Sequence, residues 1–313
     1  MIARGFMHLK VLPCRAFFFF ALVHGIVLCS KSSALAQSSI APFSGEALHY
    51  EVTYEWGPIY LEVGEVIFSA SDGNKSNLRP SNTIEEEEEE EEEQEGNQHV
   101  WDFKGWGTSK PNWDWFYPVN STYSSQTDAS FLPQKFSRVG REGRHRYNRS
   151  YAREQDNCMT ISCLDGELDA SSICTPDSSS EFRDVLSAIH WCRQLPWASY
   201  TRGDVIAMGL LLDGEVHRTT LEFIGSVKHH SEFWPDSIAC WEFHPTLIDG
   251  TVFKPGDEMK VLMTADERRL PIYIETELIV GAAKIHLAQH NVHEITAFES
   301  LRDSCKRVTR NLD

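Results

Sequence analysis

An all-β fold, about ten strands in meander order with one or two helices, is what this sequence predicts. Three observations carry the prediction. Apolar and polar residues alternate with a period of two, as in "ALHYEVTYEW". There Leu48, Tyr50, Val52, Tyr54 and Trp56 share one side, and His49, Glu51, Thr53 and Glu55 the other. Turn signals punctuate such stretches: Gly57-Pro58, Asp165-Gly166, Asp213-Gly214, Asp249-Gly250 and Ala265-Asp266. Only one segment with a clear start and stop repeats its apolar residues at helical spacing.

The elements follow in order. Residues 1–36 read as a removed export signal: sparse basic residues, the apolar run "AFFFFALVHGIVLC", then Ala34-Leu35-Ala36, a small-x-small cleavage pattern. The run is too short for a membrane-spanning helix, and nothing later is apolar for long enough. A lipoprotein cut before Cys29 fits less well, because bulky Leu28 stands where a small residue is needed. The mature chain is read as one β domain over 37–293, with a tail or short amphipathic helix over 294–313.

Two strands meet at Gly57-Pro58, and Gly64 inside the latter marks a bulge or bend of the kind a curling sheet needs. From 72 to 98 the pattern lapses into an acidic insertion that includes nine consecutive glutamates, Glu85 to Glu93. Like-charge repulsion bars such a run from burying anything. Calcium binding is not expected of it, since ordered calcium sites need spaced ligands on a turn. Strand character returns at "HVWDFKGWGTSK". Further strands have turn signals at Gly140, Glu142-Gly143 and Asp165-Gly166. Ser178 and Glu181 form a capping box for the helix, which carries Phe182, Val185, Leu186, Ile189 and Cys192 until Pro196. Strands then continue to the histidine-rich "HLAQHNVH".

Charge narrows the partners. The formal net charge is −17, and removing residues 1–36 takes away four basic and no acidic residues. Nucleic acid and anionic membranes require a basic footprint that is missing here. Of eight cysteines, six follow the leader: Cys158, Cys163, Cys174, Cys192, Cys240 and Cys305. Export permits disulfides, and none of the spacings is a zinc pattern. A symmetric hairpin at Asp165-Gly166 would set Cys158 opposite Cys174, the preferred disulfide candidate; buried free thiols are the alternative for several of the six.

Motifs for chemistry are scarce. His286, His290 and His293 would share one face of a helix, but the segment reads as strand, and no carboxylate stands at zinc spacing. The nucleophile elbow, Walker and dinucleotide-binding patterns are absent, so no catalytic residue, metal or cofactor is expected. Paired carboxylates assembled from distant strands would leave no local signature. The most distinctive feature is the aromatic cluster Trp101, Trp106, Trp113, Trp115, Phe116 and Tyr117. Most of it is expected in the core. However, Trp113 and Trp115 alternate with Asn112 and Asp114, an indole-rich face suited to sugars or acyl chains.

"PFSGEALHYEVTYEWGPIYLEVGEVIF", "REGRHRYNRSY", "DVLSAIHWCRQLPW" and "CWEFHPTLIDGTVFKPGDEMKVLMTADERRLPIYIETELIVGAAKIHL" together resemble the exported bacterial family called domain of unknown function 3108. The resemblance spans most of 41–290, lapses within the acidic insertion, and looks like members from the Bacteroidetes. It implies an envelope protein of mostly β structure with no established catalytic residues. By analogy it implies a large curved sheet or half-open β-barrel similar to periplasmic lipoprotein carriers.

The functional expectation is a non-enzymatic periplasmic or outer-envelope protein. It would bind an apolar or amphiphilic ligand (lipid, lipoprotein or glycan) on the concave face of a curved sheet, with Trp101, Trp106, Trp113, Trp115 and Tyr117 as ligand-binding candidates. One alternative is an assembly or scaffold protein that binds another envelope protein through a sheet edge or the aromatic patch. The other is a hydrolase of envelope polymer.

Overall fold

Alternation becomes one continuous sheet in the computed structural model, which describes residues 45–73, 100–115, 117–154, 158–163, 171–174, 181–234, 236–246, 259–278 and 280–291. The leader with Cys29, nearly all of the acidic insertion, Asp165-Gly166, Asp249-Gly250, Ser178, His293, Cys305 and the segment 294–313 lie outside the described residues. The first strands are β1 (Glu46–Trp56), β2 (Ile59–Asp72), β3 (Trp101–Ser109), β4 (Val119–Thr127) and β5 (Pro133–Glu142). Next come β6 (His145–Arg153), β7 (Cys158–Cys163), β8 (Ser171–Cys174) and β9 (Phe182–Arg183). One helix, α1 (Val185–Cys192), precedes β10 (Val205–Leu212), β11 (Glu215–His229) and β12 (Ile238–Pro245). The last three are β13 (Met259–Thr264), β14 (Pro271–Glu277) and β15 (Ala282–Asn291).

The order starts at β8, descends to β1, passes to β15 and descends again to β9. Every pairing is antiparallel except that of β9 with β10. Among the described residues fifteen strands thus stand against the expected ten or so, partly because short segments such as β8 and β9 carry no readable period. β1 and β2 pair out to Trp56 opposite Ile59, leaving Gly57-Pro58 as the turn. Val63 is the extra residue of a bulge beside Gly64. A Cβ on Gly64 would lie 2.6 Å from the Thr108 carbonyl oxygen, so the neighbouring strand's close approach requires glycine there. Asp213 and Gly214 have φ of 47° and 92° and join β10 to β11 in the left-handed conformation that suits a twisted hairpin. Gly140, in contrast, is no turn: it lies within β5 opposite Ser121, and the β5–β6 turn is Gly143-Arg144.

The sheet curls around α1. Val185, Ala188 and Cys192 pack with Leu210, Phe223, Phe243 and Val261, while Leu186 faces the other half of the sheet with Phe103, Tyr123 and Phe136. Six of the eight helical residues are buried, which marks a helix enclosed by its sheet. Each enclosed Leu or Val side chain contributes about 1.5–3 kcal/mol over exposure. The helix starts at Asp184, not at a Ser178–Glu181 box. Asp184 Oδ1 accepts from the Leu186 and Ser187 N–H groups at 2.8 and 3.1 Å. Its Oδ2 accepts from Ser125 Oγ at 2.6 Å, tying the cap to β4. Phe182, expected in the helix, belongs to β9.

The two ends of the sheet meet without a closing ladder. β8 and β9 are its edges, yet Phe182 and Leu211 share a cluster with Tyr151, Met159 and Ile161. Asp213 accepts from Arg138 at 2.7 Å and lies 3.4 Å from Arg149. Beneath this seam Glu142, fully buried, accepts from Arg138 (2.9 Å), Ser121 (3.0 Å) and Tyr123 (3.1 Å). Burial alone would lower the Arg138 pKa, but Tyr123, Glu142 and Asp213 outweigh it, so Arg138 stays cationic. The result is the expected curved, half-open sheet.

Candidate functional site

Strand length leaves a group of large apolar residues exposed at one end of the sheet. The inner side of β1 is buried at Leu48, Tyr50 and Val52, after which the strand outruns the core. Tyr54 is half-buried, with its hydroxyl donating to the Val280 carbonyl at 2.8 Å, and Trp56 is 55% exposed. Across the turn, Ile59 and Tyr60 are exposed as well.

Two neighbouring connections flank this tip. On one side, the β14–β15 turn presents exposed Val280 and closes with Leu278 N–H donating to the Gly281 carbonyl at 2.9 Å. On the other, the β3–β4 connection folds back on β2: Lys110 N–H donates to the Val63 carbonyl, and Trp113 Nε1 to the Glu62 carbonyl, both at 2.9 Å. Asp114 takes a short hydrogen bond from Ser109 Oγ, and Tyr117 N–H donates to the Trp113 carbonyl at 3.0 Å. That anchored loop projects Trp115, 79% exposed. Because β14–β15, β1–β2 and β3–β4 are consecutive pairs in the sheet, Val280, Trp56, Ile59, Tyr60 and Trp115 form a rim along one end.

Behind the tips the charges are matched. Lys110 Nζ lies 2.6 Å from Glu62 and Lys284 Nζ 2.5 Å from Glu55. Both lysine pKa values are raised, first by those hydrogen bonds, so both stay cationic and neutralise their partners. The Tyr60 phenol is raised by partial burial and then by Glu232, Glu62, Glu51 and Glu55, and it stays neutral. The rim is therefore aromatic, with two of the glutamates behind it paired to lysines.

The candidates from sequence separate into two groups. Trp113, Trp115 and Tyr117 belong to this rim loop, though not on a shared extended face. Pro111–Trp113 is a 3-10 turn, which turns Trp113 inward and Trp115 outward. Pro111, suited to a helical first position, was the signal for it. Trp101 and Trp106 lie in β3 instead: Trp101 is half-buried and stacks on Phe103, while Trp106 is buried at a register position between Ile67 and Thr122. Trp56 and its partner Ile59 escaped notice because they continue the alternation of the buried residues, while Tyr60 lies on the other face and Val280 in a turn, where no local signal marked them.

Between α1 and the sheet a cavity of about 10 Å³ is lined by Val66, Phe68, Tyr123, Val185 and Leu186, barely the space of one water. His286 packs against Tyr273 and Phe233, and His290 stacks on Trp234 with Arg268 at 3.0 Å. Among the described residues no three His, Cys, Asp or Glu side chains gather as a metal site. Cys158 is disulfide-bonded and stands opposite Cys174 in the β7–β8 register. Cys192 and Cys240 are buried free thiols, raised by burial to about 12 and about 11, which silences them as nucleophiles.

These features define a class: an all-β protein whose single curled sheet encloses one helix and ends in an aromatic rim. The chain belongs to DUF3108, a family described as protein of unknown function, whose profile matches residues 49–288. No curated protein matches the sequence. A β-barrel-like protein of domain of unknown function DUF1849 from Brucella abortus is 8% identical with a TM-score of 0.49, covering 79% of this chain and 96% of that one. A Bacteroides fragilis protein of YmcC-like fold, inferred to be exported, is 9% identical with a TM-score of 0.25 over the same shares. Among the described residues no helix is long and apolar enough to cross a membrane.

Proposed function

We propose that this protein is a non-enzymatic envelope component, exported by its N-terminal leader, that rests on a lipid surface through the rim of Trp56, Ile59, Tyr60, Trp115 and Val280. One observation carries the reading: five large apolar side chains are exposed along three neighbouring connections at one end of the sheet. Indole and phenol rings suit the boundary between headgroups and acyl chains, where one end of the ring is wet and the other dry. The ion pairs Glu62–Lys110 and Glu55–Lys284 offset two of the acidic charges behind the rim. The sequence pointed to an amphiphile on the concave face; the concentration of exposed large apolar residues at one end of the sheet is what favours the rim here.

The test is flotation with phosphatidylethanolamine–phosphatidylcholine vesicles, comparing the intact protein with Trp56→Ser, Trp115→Ser and the double variant. Each tryptophan is expected to contribute about 1.4 kcal/mol, roughly tenfold in partitioning, with unchanged circular dichroism. Absence of vesicle binding by the intact protein, or equal binding by the double variant, refutes the reading.

A further inference from the structure

The aromatic rim has a basic neighbour. β5 and β6 turn at Gly143-Arg144, at the same end of the sheet as the β3–β4 connection that projects Trp115. Gly143 joins the two connections. Its N–H donates to the Pro118 carbonyl at 2.7 Å, and a Cβ there would lie 2.4 Å from the Tyr117 ring. Three arginines stand on this turn, and all three are exposed. Arg141 and Arg146 lie directly opposite each other in the ladder, and Arg144 occupies the tip between them. Arg141 Nε donates to the Gly143 carbonyl at 3.0 Å, which holds its guanidinium against the turn. On its other side Arg141 faces uncharged Asn120 of β4. Like charges directly opposite in an antiparallel pair are destabilising. Such a break of a local rule is expected at functional positions. An anion between the two strands would turn the repulsion into two favourable contacts, and guanidinium groups match phosphate oxygens with paired N–H donors.

We infer that Arg141, Arg144 and Arg146 receive the phosphate groups of lipid headgroups beside the seated rim, so that anionic phospholipid is preferred over zwitterionic. This selectivity presupposes the rim's contact with lipid and adds its headgroup chemistry. Position selects the occupant. Aromatic rings seat at the boundary between headgroups and acyl chains, and a turn tied to the Trp115 loop then stands level with the phosphates. The net charge of −17 does not decide the matter, because a bilayer touches only one end of the sheet. At physiological salt, exposed charges more than about 8 Å away are largely screened, so the surface meets the local arginines before the distant carboxylates.

The experiment is flotation of the full chain with phosphatidylethanolamine–phosphatidylcholine vesicles and with vesicles in which phosphatidylglycerol replaces the phosphatidylethanolamine. The intact protein is expected to bind the phosphatidylglycerol vesicles more tightly. Arg141→Gln, Arg144→Gln and Arg146→Gln should each remove about fivefold of that gain and leave binding to the zwitterionic vesicles unchanged. Trp115→Ser, in contrast, should weaken binding to both. Arg146→Gln should also melt at the same temperature as the intact protein or higher, since it removes a like-charge pair. Equal or weaker binding to phosphatidylglycerol vesicles overturns the inference, as does a preference that the glutamine variants keep. A markedly lower melting temperature of Arg146→Gln overturns it by making the arginine pair part of the fold. A preference that inorganic phosphate at matched concentration abolishes overturns it by assigning the turn to a free anion. A protein that floats with neither vesicle type overturns the rim as well, whereas equal floating with both leaves the rim standing.

Discussion

Trp197 and Trp115 are the same side chain in opposite regions. Trp197 has no exposed surface, donates from Nε1 to the Cys192 carbonyl at 2.8 Å, and stacks on Phe243 with ring centres 4.5 Å apart. Trp115 is 79% exposed on a loop whose own hydrogen bonds hold it there. The difference comes from the unequal lengths of filler and wall. An eight-residue helix is about 12 Å long, whereas the fourteen residues of β2 extend for about 46 Å. The sheet is much taller than the helix it encloses. Apolar residues level with α1 are enclosed by the fold, and those beyond it, Trp56 and Trp115 among them, keep more than half of their surface exposed.

The comparison breaks most sharply at Trp197. Trp197→Ala removes a buried ring and its hydrogen bond from the meeting point of α1, β11 and β12, and should cost about 3–5 kcal/mol in urea unfolding. The rim variants should stay within about 0.5 kcal/mol of the intact protein, as surface changes do. A Trp197→Ala loss below about 1 kcal/mol would show that the helix is not the core's centre. The next effect belongs to the β7–β8 edge, where we propose Cys174 as the partner of Cys158. Closing a loop of this length is worth about 3 kcal/mol. Cys158→Ser and Cys174→Ser should therefore each lower stability by about that amount, with no further loss in the double variant. A non-reducing peptide map that pairs Cys158 with any other cysteine refutes the assignment.

Local patterns were readable in the sequence, and tertiary extents were not. The β1–β2 hairpin, its bulge at Gly64, the Asp213-Gly214 turn and the Cys158–Cys174 register all follow from period and turn chemistry, which act over a few residues. The helix was visible too, but its start was misread. Ser178 and Glu181 have capping-box spacing, while Asp184 lies beside Ser125 only once β4 has been placed. The rim was hidden for a similar reason. Trp56 alternates in step with Leu48, Tyr50 and Val52, and only the height of the enclosed helix separates the exposed residue from the buried ones. In the aromatic cluster, Trp106 and Trp115 were alike by composition, but Trp106 lies within β3, whereas Trp115 follows the 3-10 turn at Pro111 and is exposed.

The smallest expected effect belongs to the connection from β2 to β3, at the end of β2 opposite the rim. Deleting Ser76 to Gln94 should leave the core and rim unchanged. The ladder on either side is complete as far as Asp72 opposite Trp101, and Gly73 N–H donates to the Val100 carbonyl at 2.9 Å, so the ends of the connection are already held together. Closing a loop costs only about 0.6 kcal/mol more for each doubling of its length, so a shorter connection gains at most a fraction of a kcal/mol. Removing nine consecutive glutamates also relieves like-charge repulsion in a chain of net charge −17. The deletion should therefore melt at the same temperature or slightly higher, keep its far-ultraviolet spectrum, and bind vesicles as before. A melting point many degrees lower would mean that the acidic run pairs with a basic stretch such as "RVGREGRHRYNR" and belongs to the fold.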